Sequence, residues 1–222
     1  MKTLYTIGHS NHPIDKFLNL LNQHEITAIC DVRSHPYSRY HPQFSYDALK
    51  STLKAHNIAY VFLGKELGGK PDDLSCYHEN QVQYARVAET QAFKRGIERL
   101  NKGIDTYHIA LMCAEKEPLN CHRTILICRH LRAESLLIQH ILEDGSLETQ
   151  STIEQRLIAM LQIPQMNLLN EQPIERAYDE QSQKIAYKND RLNRSVQEEE
   201  ENYEQDSSVH NRFYEQDCED AF

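Results

Sequence analysis

The feature that most limits what this chain can become is an alternation. Short apolar runs of strand length, at residues 4–7, 28–32, 58–63, 107–113 and 136–141, are separated by segments whose apolar residues recur at helical spacing. The first such segment carries Ile14, Phe17, Leu18 and Leu21 on one side. Others run from 46 to about 56, with Ser45 as a cap, from 81 to 100, from 121 to about 134, and from 152 to 161. Parallel neighbours in a sheet need long crossover connections, and a helix is the usual one. The alternation therefore predicts an α/β, Rossmann-like fold, a mainly parallel sheet with helices on its two faces. Periodicity leaves the strand order open.

Charge divides the chain into two parts. From Glu171 onward there are 15 acidic and 6 basic side chains, whereas the first 170 residues carry 18 of each, so the whole formal charge of -9 lies at the end. We read residues 1–165 as one α/β domain and 166–222 as a polar acidic tail, largely disordered and dispensable for folding, because runs such as 198–201 bury too little to offset chain entropy. In the balanced domain a wide basic nucleic-acid surface is not visible in composition, and a local patch stays open. Six cysteines in 222 residues do not form the dense framework of a small secreted domain. With no apolar run of membrane-spanning length, the expectation is a cytoplasmic chain holding reduced thiols.

If the alternation holds, polar residues gather at the carboxyl ends of the strands, where open parallel sheets bind ligands. Gly8-His9-Ser10 follows the first strand and Asp31-Val32-Arg33 closes the second. Lys65 follows the third, Cys113-Ala114-Glu115 ends the fourth, and His140 lies near the end of the fifth. The densest stretch is 113–123, where thiols, a carboxylate, an imidazole and a guanidinium lie between a strand and a helix start. Free N–H groups and Arg123 at such a start favour a thiolate at Cys121. Cys128, seven residues further on, reads as core.

The expected roles follow from chemistry. Cys121 or Cys113 is the candidate nucleophile or redox thiol, and Glu115 and His9 are the candidate proton-transfer groups. Arg33, Lys65 and Arg123 supply cations for a phosphate or carboxylate, with Ser10, Asp31, His122 and His140 completing the substrate-binding set. Asp31 and Arg33 also fit a structural ion pair. No metal ligands are assigned, since seven residues between Cys113 and Cys121 and an adjacent Cys-His pair match no common zinc spacing. The glycines at 64, 68 and 69 fail the phosphate-loop and dinucleotide patterns and read as a flexible loop.

These residues also resemble a known family. Gly8-His9-Ser10, Asp31-Val32-Arg33 with Pro36 and Ser38, Leu67-Gly68-Gly69, and above all Cys113-Ala114-Glu115 with Pro118 and Cys121-His122-Arg123 are similar to the pattern of domain-of-unknown-function family 488. His140-Ile141 ahead of Asp144-Gly145 fits as well, so the resemblance spans about residues 4–145. It implies a compact domain without naming a reaction, substrate or cofactor.

Three functions remain open at this stage. The first is an enzyme acting on a small anionic or nucleotide-like substrate at the strand ends. The second is a nucleic-acid-associated protein using the aromatic and basic loop 35–44. The third is a metal-binding regulatory module.

Overall fold

The structure, a computed structural model, describes residues 2–132, 136–164 and 172–189. Runs that are apolar without alternation belong in a strand covered on both faces. Two such runs become interior strands: β2, Ala28–Asp31, and β6, Ile109–Cys113, are buried at every position. The other strands are β1, Lys2–Gly8; β3, Ala59–Phe62; β7, Leu136–Ile141; and β8, Leu147–Thr149. The order is β3-β2-β6-β1-β7-β8, parallel except for the terminal β7–β8 hairpin. A separate two-stranded pair joins β4, Tyr77–His78, to β5, Gln81–Val82. The expected α/β fold with a mainly parallel sheet is present. The connection leaving β1 passes β6 to reach β2 while that leaving β6 passes β1 to reach β7, so the two run in opposite directions on opposite faces from the adjacent carboxyl ends of β1 and β6.

Alternation along β6 sorts its side chains between two cores. Ala110 and Met112 pack with Ile7 and Ile29 against α1, Ile14–Gln23, and α2, Tyr46–Ala55. Ile109, Leu111 and Cys113 face the opposite layer. That layer includes α4, Tyr84–Glu89, α5, Gln91–Ile104, and α7, Gln150–Leu161. Cys128 is fully buried there, as its spacing suggested.

Three local expectations change. The segment 81–100 is not one helix: its start is spent on β5, and Thr90 separates α4 from α5, its Oγ1 accepting the Phe93 N–H at 3.1 Å. The glycine-rich segment opens with a short helix, α3, Gly64–Leu67. The helix expected from residue 121 forms as a π-helical segment, Arg123–Cys128, continued by α6, Arg129–Leu131. Residues 133–135, at its expected end, lie outside the described residues.

The tail boundary also moves. Helix α8, Pro173–Ile185, lies beyond residue 165 and is packed: Tyr178 and Ala177 have no exposed surface and Gln181 is buried. Net charge hid a helical stripe of Ile174, Ala177, Tyr178, Gln181 and Ile185, and Pro173 suits a first turn. Arg129 reaches across to Glu175 and Asp179, both at 2.7 Å, and Arg132 pairs with Glu175 as well. The expected disorder at 190–222 lies outside the described residues.

Candidate functional site

Close approach of two loops builds the site. The main chain past β1 bonds to that past β6, His9 N–H to Cys113 O and Ser10 N–H to Ala114 O, each at 2.9 Å. A Cβ on Gly8 would lie 2.0 Å from Glu115 O, so a side chain there would push the two loops apart. Pro118–Asn120 then forms a 3₁₀ turn. Cys121 stays extended (φ -134°, ψ 137°) and His122 turns helical (φ -60°, ψ -25°). This change of backbone state lets two neighbouring side chains turn toward one place.

The result is a cluster. Ligand atoms of Cys113, Glu115, Cys121 and His122 all lie within 4.8 Å of one another. Cys121 Sγ is 3.1 Å from Glu115 Oε2, and Cys113 Sγ is 3.7 Å from His122 Nδ1. His122 Nε2 donates to Val32 O at 3.0 Å, and a Cβ on Gly69 would lie 3.0 Å from the imidazole. Glu115 is the exposed member, and the other three are buried.

Burial and charge compete here. Burial pushes the Cys121 thiol up, but hydrogen bonding from Cys113 and the Arg123 and His122 charges bring it well below its ordinary value. Burial and the neighbouring Cys121 raise Cys113. Burial, then Cys121, raises Glu115. Burial lowers His122, yet contact with Cys121 and the Glu115 charge leave it raised.

The cluster forms one end of a cleft of about 650 Å³, including its open mouth. Cys113, Glu115 and His122 line it with Arg33, His35, Lys70 and Tyr187, among others. Glu115 is the one carboxylate among those lining residues, against four cationic or titratable basic side chains, Arg33, His35, Lys70 and His122. The cleft thus favours an anion.

The sequence matches the family described as "Domain of unknown function DUF488" over residues 13–129, more than half of the chain and including the whole cluster. The chain belongs to the DUF488 family. The match begins after Gly8-His9-Ser10 and ends before His140, a shorter span than the resemblance suggested. No curated protein and no solved structure matches this DUF488 chain.

Of the residues read from the sequence, the fold brings Cys113, Glu115, His122 and Arg33 together at the cleft, with Cys121 buried against Glu115 behind the lining. Several others sit behind it. Asp31 has no exposed surface and accepts from Arg33 Nε at 2.9 Å, Arg33 Nη2 at 2.6 Å and Tyr60 Oη at 2.7 Å, so the structural ion pair is what forms. Burial works against the Arg33 charge, and the hydrogen bond and charge of Asp31 more than offset it. His9 has both ring nitrogens engaged, one with Ser10 O at 2.8 Å and one with Arg33 Nη1 at 3.1 Å. Burial and Arg33 push it down to about 4. It positions Arg33 and holds no free nitrogen for a substrate.

Arg123 is fully buried, donating to Glu115 O at 2.6 Å and Lys116 O at 3.3 Å. Its donors fasten the loop, leaving its charge to act on the thiols. Ser10 Oγ contacts Asn11 at 3.4 Å, Lys65 lines other grooves, and His140 is buried on β7 between Thr6 and Gln150. None of the three lines the cleft. Lys70 does, directly after the glycines read as a flexible loop, and so do Tyr84 and Tyr187, hidden in segments read as a helix and a tail.

Proposed function

We propose that this chain is an enzyme acting on a small anionic or nucleotide-like substrate, bound at the carboxyl edge of the sheet. One observation carries the reading: a thiol, an imidazole and a carboxylate lie at one end of a cleft whose remaining charged lining is basic. Lys70, held with its Nζ 4.3 Å from the Tyr187 ring centroid, and the exposed His35 attract the anion. Arg33 adds the part of its guanidinium not spent on Asp31, His9 and Phe44. Cys113 is the thiol that reaches the cleft. Cys121, with 1% exposure and absent from the lining, acts through the cluster instead of by direct attack on a substrate.

The test is calorimetric titration of the full chain with inorganic phosphate, pyrophosphate and a nucleoside monophosphate, followed by a turnover screen of phosphate and carboxylate esters. Saturable binding is expected, weakened at least about fivefold by Lys70→Ala and by added salt. Turnover should vanish in His122→Gln while anion binding persists. Absence of saturable binding, or indifference to Lys70→Ala, overturns the reading.

A nucleic-acid reading has one specific observation in its favour. Tyr37 and Tyr40 are 70% and 85% exposed on the loop beside Arg39, and a second groove lined by Tyr37 shares Ser34, His35 and Lys70 with the cleft. Binding of single-stranded oligonucleotide that falls on Tyr40→Ala would favour it over the small-anion reading.

A further inference from the structure

We propose that Cys113, Cys121, His122 and Glu115 form a tetrahedral binding site for one divalent zinc-class ion at the floor of the cleft. The inference deepens the functional reading above, because the ion then faces the bound anion.

Geometry is the first support. Zinc–sulfur bonds of about 2.3 Å and zinc–nitrogen or zinc–oxygen bonds of about 2.0–2.1 Å, arranged tetrahedrally, separate ligand atoms by roughly 3.3–3.8 Å. The spacings of 3.1 Å from Cys121 Sγ to Glu115 Oε2 and 3.7 Å from Cys113 Sγ to His122 Nδ1 are close to those edges, and all four groups stay within 4.8 Å. Two sulfurs, one nitrogen and one oxygen suit zinc better than magnesium or calcium, which prefer oxygen ligands.

The outer contacts fit as well. A ligating histidine usually donates its second ring nitrogen to a carbonyl, which fixes its tautomer and orientation. His122 Nε2 does this to Val32 O at 3.0 Å, directing the Nδ1 lone pair at the thiols. Gly69 packs against the Cγ–Nδ1 part of the ring, where a Cβ would lie 3.0–3.1 Å away.

Charge is the third support. Two thiolates, one carboxylate and a neutral imidazole around a dication sum to one negative charge. Arg123 is fully buried beside them, its hydrogen bonds going to two carbonyl oxygens and Thr6, with no carboxylate in ion-pair contact among the described residues. A negative metal–thiolate centre gives this buried arginine a fixed counter-charge.

Binding is a ligand exchange without electron transfer. The thiol protons pass to water, the ion gives up hydration waters, and four bonds to the protein replace them. Glu115, the exposed ligand, is the one an incoming anion displaces. The adjacent Cys-His pair matched no familiar spacing because the site is made by a backbone change between residues 121 and 122 and by the return of the loop to the end of β6.

The test uses the full chain, reduced and stripped by chelator, titrated with zinc chloride and separately with cobalt chloride. One equivalent should bind, with release of protons, and cobalt should show thiolate charge-transfer absorption together with tetrahedral ligand-field bands. His122→Gln and Cys113→Ser should weaken binding by more than about 100-fold, beyond the cost of losing an outer contact. Should a cysteine variant fail to fold, Glu115→Gln at the exposed position should still bind cobalt more weakly and with altered bands. The proposal is overturned if the wild-type chain takes up less than about a tenth of an equivalent. It is equally overturned if cobalt binds without thiolate bands, or if Glu115→Gln and His122→Gln match wild type. Phosphate titration of stripped and loaded protein separates the two readings. Lys70-dependent phosphate binding without metal uptake sinks only the ion, and metal uptake without phosphate binding sinks only the anion cleft.

Discussion

The ends of β6 and β7 both bury a histidine among bonded polar groups, and they differ in whether those groups open on a cleft. At β7, His140 accepts from Thr6 Oγ1 and donates to Gln150 Oε1, both at 2.9 Å. Gln150 Nε2 donates to Tyr178 Oη at 2.6 Å, and Tyr178 donates to Glu154 at 2.9 Å. Each of these groups has a partner, and the chain of bonds is buried as far as the half-buried Glu154. At β6, two thiols, a carboxylate and an imidazole crowd together and open on a cleft. Satisfied buried polar groups specify a fold, and the same groups placed at the wall of a cleft are also within reach of solvent. Arg123 joins the two regions, its Nε 3.4 Å from Thr6 Oγ1 and its charge acting on the thiols.

The largest test of this contrast removes the helix that supplies Tyr178. Truncation after residue 171 deletes α8, with the fully buried Tyr178 and Ala177, and should cost more than about 3 kcal/mol, as loss of a buried aromatic does. It also deletes Ile185 and Tyr187 from the cleft wall, so anion binding should fall with stability. Urea unfolding measures the first and calorimetry the second. A truncated chain with an unchanged midpoint would mean that the β7 network does not need its last members.

Next in size is the response to acid. Burial pushes His140 down to about 3, so between that value and about 6.5 the unfolded chain binds a proton that the folded chain refuses. Stability from this residue is complete above about pH 6.5 and declines as pH falls toward 3, by at most about 1.4 kcal/mol per pH unit. His9, lowered to about 4, adds in the same direction. Urea midpoints at pH 7.5 and 5 should therefore differ, and His140→Gln should be less stable at pH 7.5 but less sensitive to acid. An undiminished pH slope in that variant would remove His140 as its source.

The α/β class was legible because the signals that carry it are local. A run such as 109–113 reports burial on two faces, and the helical stripe of Phe17, Leu18 and Leu21 reports one. The docking of α8 was not legible, since its stripe is diluted by acidic residues and composition averages over both faces. The site was half legible. Residue types at 113–123 marked the place, but partners such as Lys70 and the roles of Arg123 and His9 depend on which donors the fold has already used. His140 misled for the same reason: its position near a strand end is visible in sequence, while its sealing by Thr6 and Gln150 is not.

The smallest expected effect comes from making one chemical change at two threonines. Thr6 and Thr124 are both without exposed surface, but Thr6 Oγ1 joins His140 to Arg123, whereas Thr124 Oγ1, in the π-helical segment behind the cluster, has no hydrogen-bond partner among the described residues. Replacing either with valine keeps the shape and removes a hydroxyl. Thr6→Val leaves His140 Nδ1 without its partner and should cost about 1–3 kcal/mol. Thr124→Val removes an unpaired buried group and should be neutral or stabilising by up to about 1 kcal/mol. Chemical unfolding of the two variants side by side reads the difference, with its sign as the informative quantity. Equal losses at both positions would mean that Thr124 has a partner after all, and that the region behind the cluster is as closed as the one behind β7.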